Sequence, residues 1–137
     1  MRCWPQRKAP LCWARLAGIS VAQVLQMPAD VALGFARKTG AVTVLKGHRT
    51  LVATPDGRLY RNTTGNAGLA RGGSGDILAG MVAGLAAQGL SPEAAAVCGV
   101  WLHGAAADVC AARHSMQGML PEDILQGLCA VFLENGR

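Results

Sequence analysis

The pattern of apolar and polar positions predicts two helices and then short strands in the first half of the chain. Ser20 is a candidate N-cap for a helix that runs to about Val24, and residues 28–38 have an apolar face followed by a basic residue and a glycine. Residues 1–17 mix Trp, Cys, Pro and basic residues without a period. We therefore expect residues 1–17 to be an atypical basic segment, with disorder as one alternative, and residues 18–137 to be the folded part.

Strands are predicted next. Residues 41–45 are a β-branched run typical of a buried strand, and residues 50–54 predict a second strand. The Pro-Asp-Gly sequence at 55–57 is a turn signal. Residues 58–61 then return as the second arm of a hairpin.

Helices are predicted for the rest of the chain. A small-residue helix spans 77–88, a Ser-Pro-Glu start at Ser91 begins a helix to about residue 112, and a last helix spans 124 to about 133. The apolar faces of these helices require a larger sheet than the predicted strands supply. We expect Gly80 and Gly84 to let their helix pack closely on such a sheet. The pattern therefore predicts an α/β fold of which this chain carries a part.

Charge and cysteine usage narrow the function class. The net charge is +5 over 137 residues, with four basic residues ahead of the first acid, Asp30. No aromatic or Gly/Arg pattern accompanies them, which argues against nucleic-acid binding. The five cysteines include no C-x-x-C pair, so zinc and thioredoxin chemistry are not supported and reduced cytosolic thiols are expected. Cys98, Cys110 and Cys129 fall in apolar helical pattern and are expected in the core.

Membrane insertion is not expected. The basic N-terminus lacks the apolar region of a signal peptide, and the apolar run 77–87 is too short to span a bilayer. These features favour a cytoplasmic location.

The chemistry is concentrated in a glycine-rich loop, residues 72–76, that leads into the small-residue helix. Glycines allow positive φ angles and close backbone approach to a ligand, and the N–H groups of a first helical turn attract anions. Asp76 stands beside this predicted anion site and can move a proton or hold a metal next to a phosphate. The alternative for Asp76 is helix capping, worth about 1 kcal/mol. The loop is neither a Walker P-loop nor a dinucleotide fingerprint.

A second polar segment, Lys46 to Thr50, follows the first predicted strand. Cations and hydroxyls at the end of a strand suit a nucleotide, although a solvated β-turn is the alternative. His103 is expected to be a packed, hydrogen-bonded residue, and Asp108 to make a structural hydrogen bond. His48 and His114 are expected at the surface.

Together these segments resemble the C-terminal half of the ribokinase-like superfamily, and within it the ADP-dependent NAD(P)H-hydrate dehydratase family. The resemblance covers about residues 20 to 128. Its order, spacing and glycine string are highly specific to the family. It is carried by Val44 to Gly47, Thr50, Asn62, Gly65, Asn66, Gly68, Gly72 to Gly80, Leu85 to Gly89, Ala94 to Ala96, Gly99, Val100 and Leu102 to Gly104.

The resemblance implies a fold, namely the C-terminal portion of a ribokinase-like α/β/α domain, truncated. It also implies a metabolite-repair reaction, in which hydrated NADH or NADPH loses water while ADP (or ATP) is hydrolysed, with Mg²⁺. Asp76 would be the general base that faces the substrate hydroxyl. The N–H groups of Gly73, Ser74 and Gly75 would form the anion hole for the transferring phosphoryl group.

The resemblance further implies which residues meet the nucleotide. Asn66 would lie near the phosphates, in direct contact or through Mg²⁺, and no protein metal ligand is expected. The family's members are expected to be homo-oligomers whose partners are small-molecule nucleotides. The residues implied to contact the nucleotide are Lys46, Gly47, His48, Arg49, Thr50, Asn66 and Gly75.

The chain departs from the family pattern in three places. The family domain is about twice as long as this chain, and the half that carries most of the sheet and the substrate pocket is missing. Residues 7–13 stand where the family has a substrate-contacting His segment, and Arg71 stands where it usually has Thr. An inactive nucleotide-binding remnant and a ribokinase-like small-molecule kinase are therefore alternative functions.

Overall fold

The computed structural model describes residues 8–135, which contain helices, a small sheet and then further helices. The chain divides between Asn62 and Thr63 into two compact units. The first unit carries three helices and the sheet, and the second carries the glycine-rich loop and three more helices.

Two helices of the first unit begin and end as their sequences predict. Helix α2, Val21–Gln26, starts with a capping box in which Ser20 Oγ accepts from the Gln23 N–H and Gln23 Oε1 accepts from the Ser20 N–H. Helix α3, Pro28–Thr39, starts on proline and stops at Gly40, whose φ of 68° is in the left-handed region. Both predicted helices are confirmed, each to within two residues at its ends.

The structure differs from expectation at the N-terminal segment. Residues 8–17 form helix α1, Lys8–Ala17, so the alternative of disorder does not hold for them. Ala14 is buried, and the Trp13 ring meets the Phe35 ring of α3 edge-on with centroids 5.0 Å apart. Contacts with a helix later in the chain stabilise α1. Residues 1–7 lie outside the described part of the chain.

The sheet of the first unit is antiparallel, in the order β1-β2-β3. Its strands are β1 (Thr43–Leu45), β2 (Leu51–Ala53) and β3 (Leu59–Arg61). Each lies inside its predicted run, and β2 pairs with β3 as the predicted hairpin.

The core of the first unit lies between the helices and strands β1 and β2. Leu45 of β1 and Leu51 of β2 are nearly fully buried, whereas β3 is largely exposed. The buried residues of this core are Ala14, Val24, Ala32, Ala36, Leu45, Leu51 and Ala53.

The second unit consists of helices α4 (Ser74–Ala87), α5 (Pro92–Gly118) and α6 (Asp123–Asn135), with a 3₁₀ turn, Ala67–Leu69, before them. Helix α4 begins three residues before its predicted start, because the glycine-rich loop already turns into its first helical turn. Helix α5 starts as predicted at Ser91, whose Oγ accepts from the Ala94 N–H.

Helix α5 continues past its predicted end. Its helical geometry is broken at Ser115, with φ 65° and ψ 157°, and it ends at Gly118. By length and apolar composition alone, α5 could cross a membrane. However, half of its most apolar window is buried within the protein, as in a core helix.

Glycines let the three helices of the second unit pack closely on one another. These glycines are Gly99 and Gly127, and not Gly80 and Gly84. A Cβ at Gly99 of α5 would lie 2.7 Å from Val82 Cγ2 of α4, and one at Gly127 of α6 would overlap the Ala106 carbonyl oxygen of α5. Gly80 and Gly84 are exposed, and a Cβ on either would meet nothing within 4 Å in the described part of the chain. The larger sheet on which they are expected to pack is not among the described residues, so their packing stays a prediction.

The cysteine prediction holds for one residue of three. Cys110 is buried with Ala107 and Met119 in the core of the second unit. Cys98 and Cys129 are exposed, because their sides of α5 and α6 are not covered by any element that the structure describes.

Candidate functional site

The glycine-rich loop ends in a turn that only glycine adopts without strain. Gly73 is the N-cap of α4 with φ 93° and ψ −33°, and it has no side chain with which to cap the helix. Its carbonyl oxygen accepts from the N–H groups of Asp76, at 3.0 Å, and Ile77, at 3.2 Å. A Cβ at Gly73 would also lie 3.3 Å from Pro121 Cγ. The sequence therefore places glycine where both the dihedral angle and the neighbour exclude a side chain.

The first turn of α4 presents unsatisfied hydrogen-bond donors. Within the part of the chain that the structure describes, no acceptor meets the backbone N–H of Ser74 or of Gly75. Such donors at a helix start, together with the helix dipole, form a site for an anion. Ser74 as a whole is buried, whereas Gly75 is partly exposed.

Asp76 lies at the third residue of α4 and is exposed. Its carboxylate accepts no hydrogen bond from any residue in 8–135, so it does not cap the helix. The helix dipole favours a negative charge at this position, but that interaction leaves both oxygens available. The carboxylate can therefore accept a proton from a bound hydroxyl group.

His103 of α5 forms a hydrogen bond with the first residue of α4. Its Nε2 lies 2.9 Å from the Ser74 carbonyl oxygen, and the ring is buried. The Nε2–H is thus the donor in this pair, which defines the tautomer of a neutral ring. The expectation that His103 is a packed, hydrogen-bonded residue is confirmed.

Asn66 is tied to α5 through its side chain. Nδ2 donates to the Ala107 carbonyl oxygen at 3.0 Å and to Asp108 Oδ1 at 2.9 Å, and Oδ1 accepts from the Gly68 N–H at 2.9 Å. Both amide protons are used, so only a lone pair of Oδ1 is left for a ligand.

Asp108 organises the beginning of the glycine-rich stretch. In addition to Asn66, its other oxygen accepts from the Gly65 N–H at 2.8 Å. The nearby Thr64 hydroxyl donates to the Trp101 carbonyl oxygen at 2.8 Å. The predicted structural role of Asp108 is confirmed, and the segment 64–66 is fastened along α5.

The segment Lys46 to Thr50 lies in the first unit, in the connection from β1 to β2. Lys46, His48 and Arg49 are exposed. Thr50 Oγ1 makes two long contacts within the turn, to the Gly47 N–H at 3.5 Å and to the Gly47 carbonyl oxygen at 3.4 Å. The basic side chains are accessible to a ligand, and the turn geometry equally fits a solvated β-turn.

The structure therefore assembles part of the predicted site. Gly73, Ser74, Gly75 and Asp76 come together at one helix start, and Asn66 is held on α5 of the same unit. Sequence reasoning did not find the bond from Arg71 to the Gln117 carbonyl. A backbone acceptor 46 residues away has no signature in the sequence.

Comparison with known proteins gives the family. A model of the NAD(P)H-hydrate dehydratase family matches residues 10–129, most of the chain. The chain belongs to this family. Among curated members, the ADP-dependent (S)-NAD(P)H-hydrate dehydratase of Neisseria meningitidis is 53% identical over 96 residues, which are 70% of this chain and 32% of that protein.

Solved structures of family members have the same fold. The ADP/ATP-dependent NAD(P)H-hydrate dehydratase of Bacillus subtilis, co-crystallised with ATP/Mg²⁺, superposes with a TM-score of 0.86 at 35% identity, over 91% of this chain and 45% of that one. A ribokinase-like superfamily protein of Enterococcus faecalis superposes with a TM-score of 0.74 at 33% identity, over 91% of this chain and 42% of that one. The ribokinase-like α/β fold is confirmed.

The chain spans only part of its relatives. It covers 22% of the bifunctional repair enzyme Nnr of Moorella thermoacetica and 47% of the dehydratase of B. subtilis. The superposition over less than half of each solved chain agrees with the expectation of a truncated domain.

Proposed function

We propose that this chain carries the phosphate-binding and proton-accepting part of an ADP-dependent NAD(P)H-hydrate dehydratase. One observation carries the proposal. The N–H groups of Ser74 and Gly75, which meet no acceptor in the described chain, lie two and one residues ahead of Asp76, whose carboxylate has no protein partner there. An anion site beside a free base is what transfer of a phosphoryl group to a hydroxyl group requires. The reaction proposed for these groups, dehydration of NAD(P)H hydrate, is taken from the family to which the chain belongs.

The proposed reaction uses these groups in two steps. The Asp76 carboxylate accepts the proton of the hydroxyl group of hydrated NADH or NADPH, and the hydroxyl oxygen bonds to the terminal phosphorus of ADP or ATP. The bond between that phosphorus and the nucleotide's bridging oxygen breaks. The N–H groups of Gly73, Ser74 and Gly75 stabilise the charge on the transferring group. Phosphate then leaves with the C–O bond electrons, and loss of the neighbouring proton restores the double bond of NADH or NADPH.

The remaining nucleotide contacts are proposed from the family resemblance and from exposure. Lys46, His48 and Arg49 offer accessible cations or donors, with Gly47 and Thr50 in the same turn. In the second unit, Gly75 offers its backbone and Asn66 the open lone pair of Oδ1.

Magnesium would be bound mainly through the nucleotide. Residues 8–135 contain no group of three or more His, Cys, Asp or Glu that could hold a metal. The donor set therefore fits an ion carried by nucleotide phosphates, with Asn66 Oδ1 or the Asp76 carboxylate as the available protein oxygens. Mg²⁺ would neutralise phosphate charge during transfer.

The test measures binding and chemistry separately. Amide NMR spectra of the chain with ADP and Mg²⁺ should show shifts for residues 72–76 and 46–50. Hydrated NADH should then be converted to NADH with release of phosphate, and Asp76→Asn should lower that rate at least a hundredfold with little change in ADP affinity. A wild-type chain that binds no ADP contradicts the whole proposal.

A second candidate function is nucleotide binding without dehydration. The partial length of the chain favours it, because the chain spans only 45% of the solved B. subtilis enzyme. Product analysis separates the candidates. NADH plus phosphate supports the dehydratase, ADP binding without turnover supports the second candidate, and a phosphorylated metabolite indicates a kinase.

We also propose a cytoplasmic location and small-molecule nucleotides as partners. The cysteines that the structure describes, Cys12, Cys98, Cys110 and Cys129, are all free thiols, which agrees with a reducing compartment. Homo-oligomer formation stays a prediction from the family resemblance, and gel filtration with light scattering would test it.

A further inference from the structure

Arg71 lies directly before the glycine-rich loop, three residues ahead of Ser74 and four ahead of Gly75, whose N–H groups meet no acceptor in the described chain. Its Nη2 donates to the backbone carbonyl oxygen of Gln117, and the side chain is otherwise exposed. The bond fastens the cation to the connection between α5 and α6. A guanidinium group has five N–H donors, so most of them are left for other acceptors.

The break in α5 makes the Gln117 carbonyl available to Arg71. Ser115 leaves helical geometry at φ 65°, its Oγ accepts from the Gly118 N–H, and its carbonyl oxygen accepts from the Met119 N–H. Met119 is fully buried and anchors the segment. Residues 115–121 therefore have a defined path, which we call the α5–α6 connection.

The α5–α6 connection also packs against the chain on both sides of Arg71, at Gly68 and at Gly73. A Cβ at Gly68 would lie 2.7 Å from Met119 Cε and 2.9 Å from the Met116 carbonyl oxygen. A Cβ at Gly73 would lie 3.3 Å from Pro121 Cγ. The backbone that carries Arg71 is thus packed against the connection before and after it, which restricts where the guanidinium can go.

The charge of Arg71 is not neutralised by the protein. Within residues 8–135, no carboxylate lies within ion-pair distance of its guanidinium. The interaction that the structure gives for the guanidinium is with a neutral carbonyl oxygen, so its positive charge is not compensated by the described residues. A tethered guanidinium binds phosphate oxygens in a planar fork, and its tether reduces the entropy lost on binding.

We propose that Arg71 is a phosphate-binding residue of this site, held in position by the Gln117 carbonyl, and that it contacts the phosphates of a nucleoside di- or triphosphate. This inference rests on the proposed nucleotide function. It adds a side-chain cation to the backbone donors of Ser74 and Gly75. Arg71 then sets the affinity for phosphate-bearing ligands rather than for the nucleoside.

The experiment compares binding of ADP and of adenosine by isothermal titration in low and moderate salt. Arg71→Ala should weaken ADP binding about tenfold and leave adenosine binding unchanged, because a charge-assisted hydrogen bond is lost only with phosphate present. Arg71→Lys should weaken ADP binding less, since it keeps the charge but not the fork. The wild type should lose affinity with salt more steeply than Arg71→Ala.

Two control variants isolate the contact. Arg113→Ala removes an equal charge from an exposed position on α5 and should leave ADP binding unchanged. Gln117→Ala should also leave it unchanged, because Arg71 binds the backbone carbonyl and not the side chain. Amide spectra of each variant check that the fold is retained.

The outcomes separate the two proposals. A wild-type chain that binds ADP as well as Arg71→Ala does overturns the role of Arg71 and leaves the proposed function standing. Equal losses in Arg71→Ala and Arg113→Ala also overturn it, because they reduce the effect to net charge. A wild-type chain that binds no ADP overturns both.

Discussion

The imidazole of His103 binds the Ser74 carbonyl oxygen, with Nε2 at 2.9 Å, and so joins the middle of α5 to the first residue of α4. Ser74 is also one of the two residues whose N–H groups are open to an anion. One peptide segment therefore has its carbonyl fixed from within the protein and its N–H left for a ligand. A buried histidine thus helps to hold the geometry of the candidate site.

His103→Ala should destabilise the chain by about 2–4 kcal/mol, because it leaves a carbonyl unsatisfied and a cavity beside it. Urea unfolding measures the loss. The exposed His114 provides the matched control, and His114→Ala should change stability by less than about 0.5 kcal/mol. Equal effects of the two substitutions would contradict a specific bond to Ser74.

Gly73→Ala should damage both stability and ADP binding. A φ of 93° is strained for any residue with a Cβ, at a cost of about 1–3 kcal/mol, and the new methyl group would press on Pro121. Gly72→Ala is the control, because Gly72 has no left-handed φ and a Cβ there meets nothing within 4 Å. If the two variants bind ADP and unfold alike, the turn at Gly73 is not required.

Asp108→Ala should release the segment 64–66 from α5. It removes the acceptor of both the Gly65 N–H and the Asn66 amide, and we expect a loss of about 1–3 kcal/mol in the free energy of unfolding. A double-mutant cycle with Asn66→Ala should give a coupling energy of about 0.5–3 kcal/mol. Additive effects would show that the two side chains act independently.

The surroundings of Asp56, in the β2–β3 hairpin, predict that the stability of the fold depends on pH. The Thr54 hydroxyl, and then the Arg58 side chain, hold the pKa of this carboxyl below its usual value of 3.8. A depressed folded-state pKa adds stability above the unfolded value, and that stability is lost as the pH falls through the folded pKa. The stability advantage of the wild type over Asp56→Asn should therefore be present at pH 7 and shrink below about pH 4. Urea midpoints at pH 7 and pH 3 measure it, and an advantage that grows in acid would reverse the assignment.

Cys110 should be the least reactive of the described cysteines. Burial raises the pKa of its thiol, and its Sγ donates to the Asp123 carbonyl oxygen at 2.8 Å. Iodoacetamide under native conditions should modify Cys12, Cys98 and Cys129 first, as peptide mass spectrometry can assign. In urea the rates should become similar, and fast native labelling of Cys110 would contradict its burial.

Local signals in the sequence were sufficient for most of the secondary structure. Ser20, Ser91 and the Pro-Asp-Gly turn marked starts and reversals correctly, because capping and turn chemistry act within four residues of chain. They failed for α1, where the stabilising contact is with Phe35, about twenty residues away. Small residues also do not say which face of a helix is covered, and Gly80 and Gly84 are exposed within the described residues.

The sequence by itself determined the glycine-rich loop, the carboxylate of Asp76 and the family resemblance, because these depend on residue types at fixed spacing. Only the tertiary structure decided which groups are fixed and which are open. It joined His103 to Ser74, Asp108 to Gly65 and Arg71 to Gln117, and it left the N–H groups of Ser74 and Gly75 without a partner in the described chain. The physical reason is that each of these bonds closes a loop of 29 to 46 residues. Their partners are set by how residues 65–74 pack along α5, and residue order alone does not specify that packing.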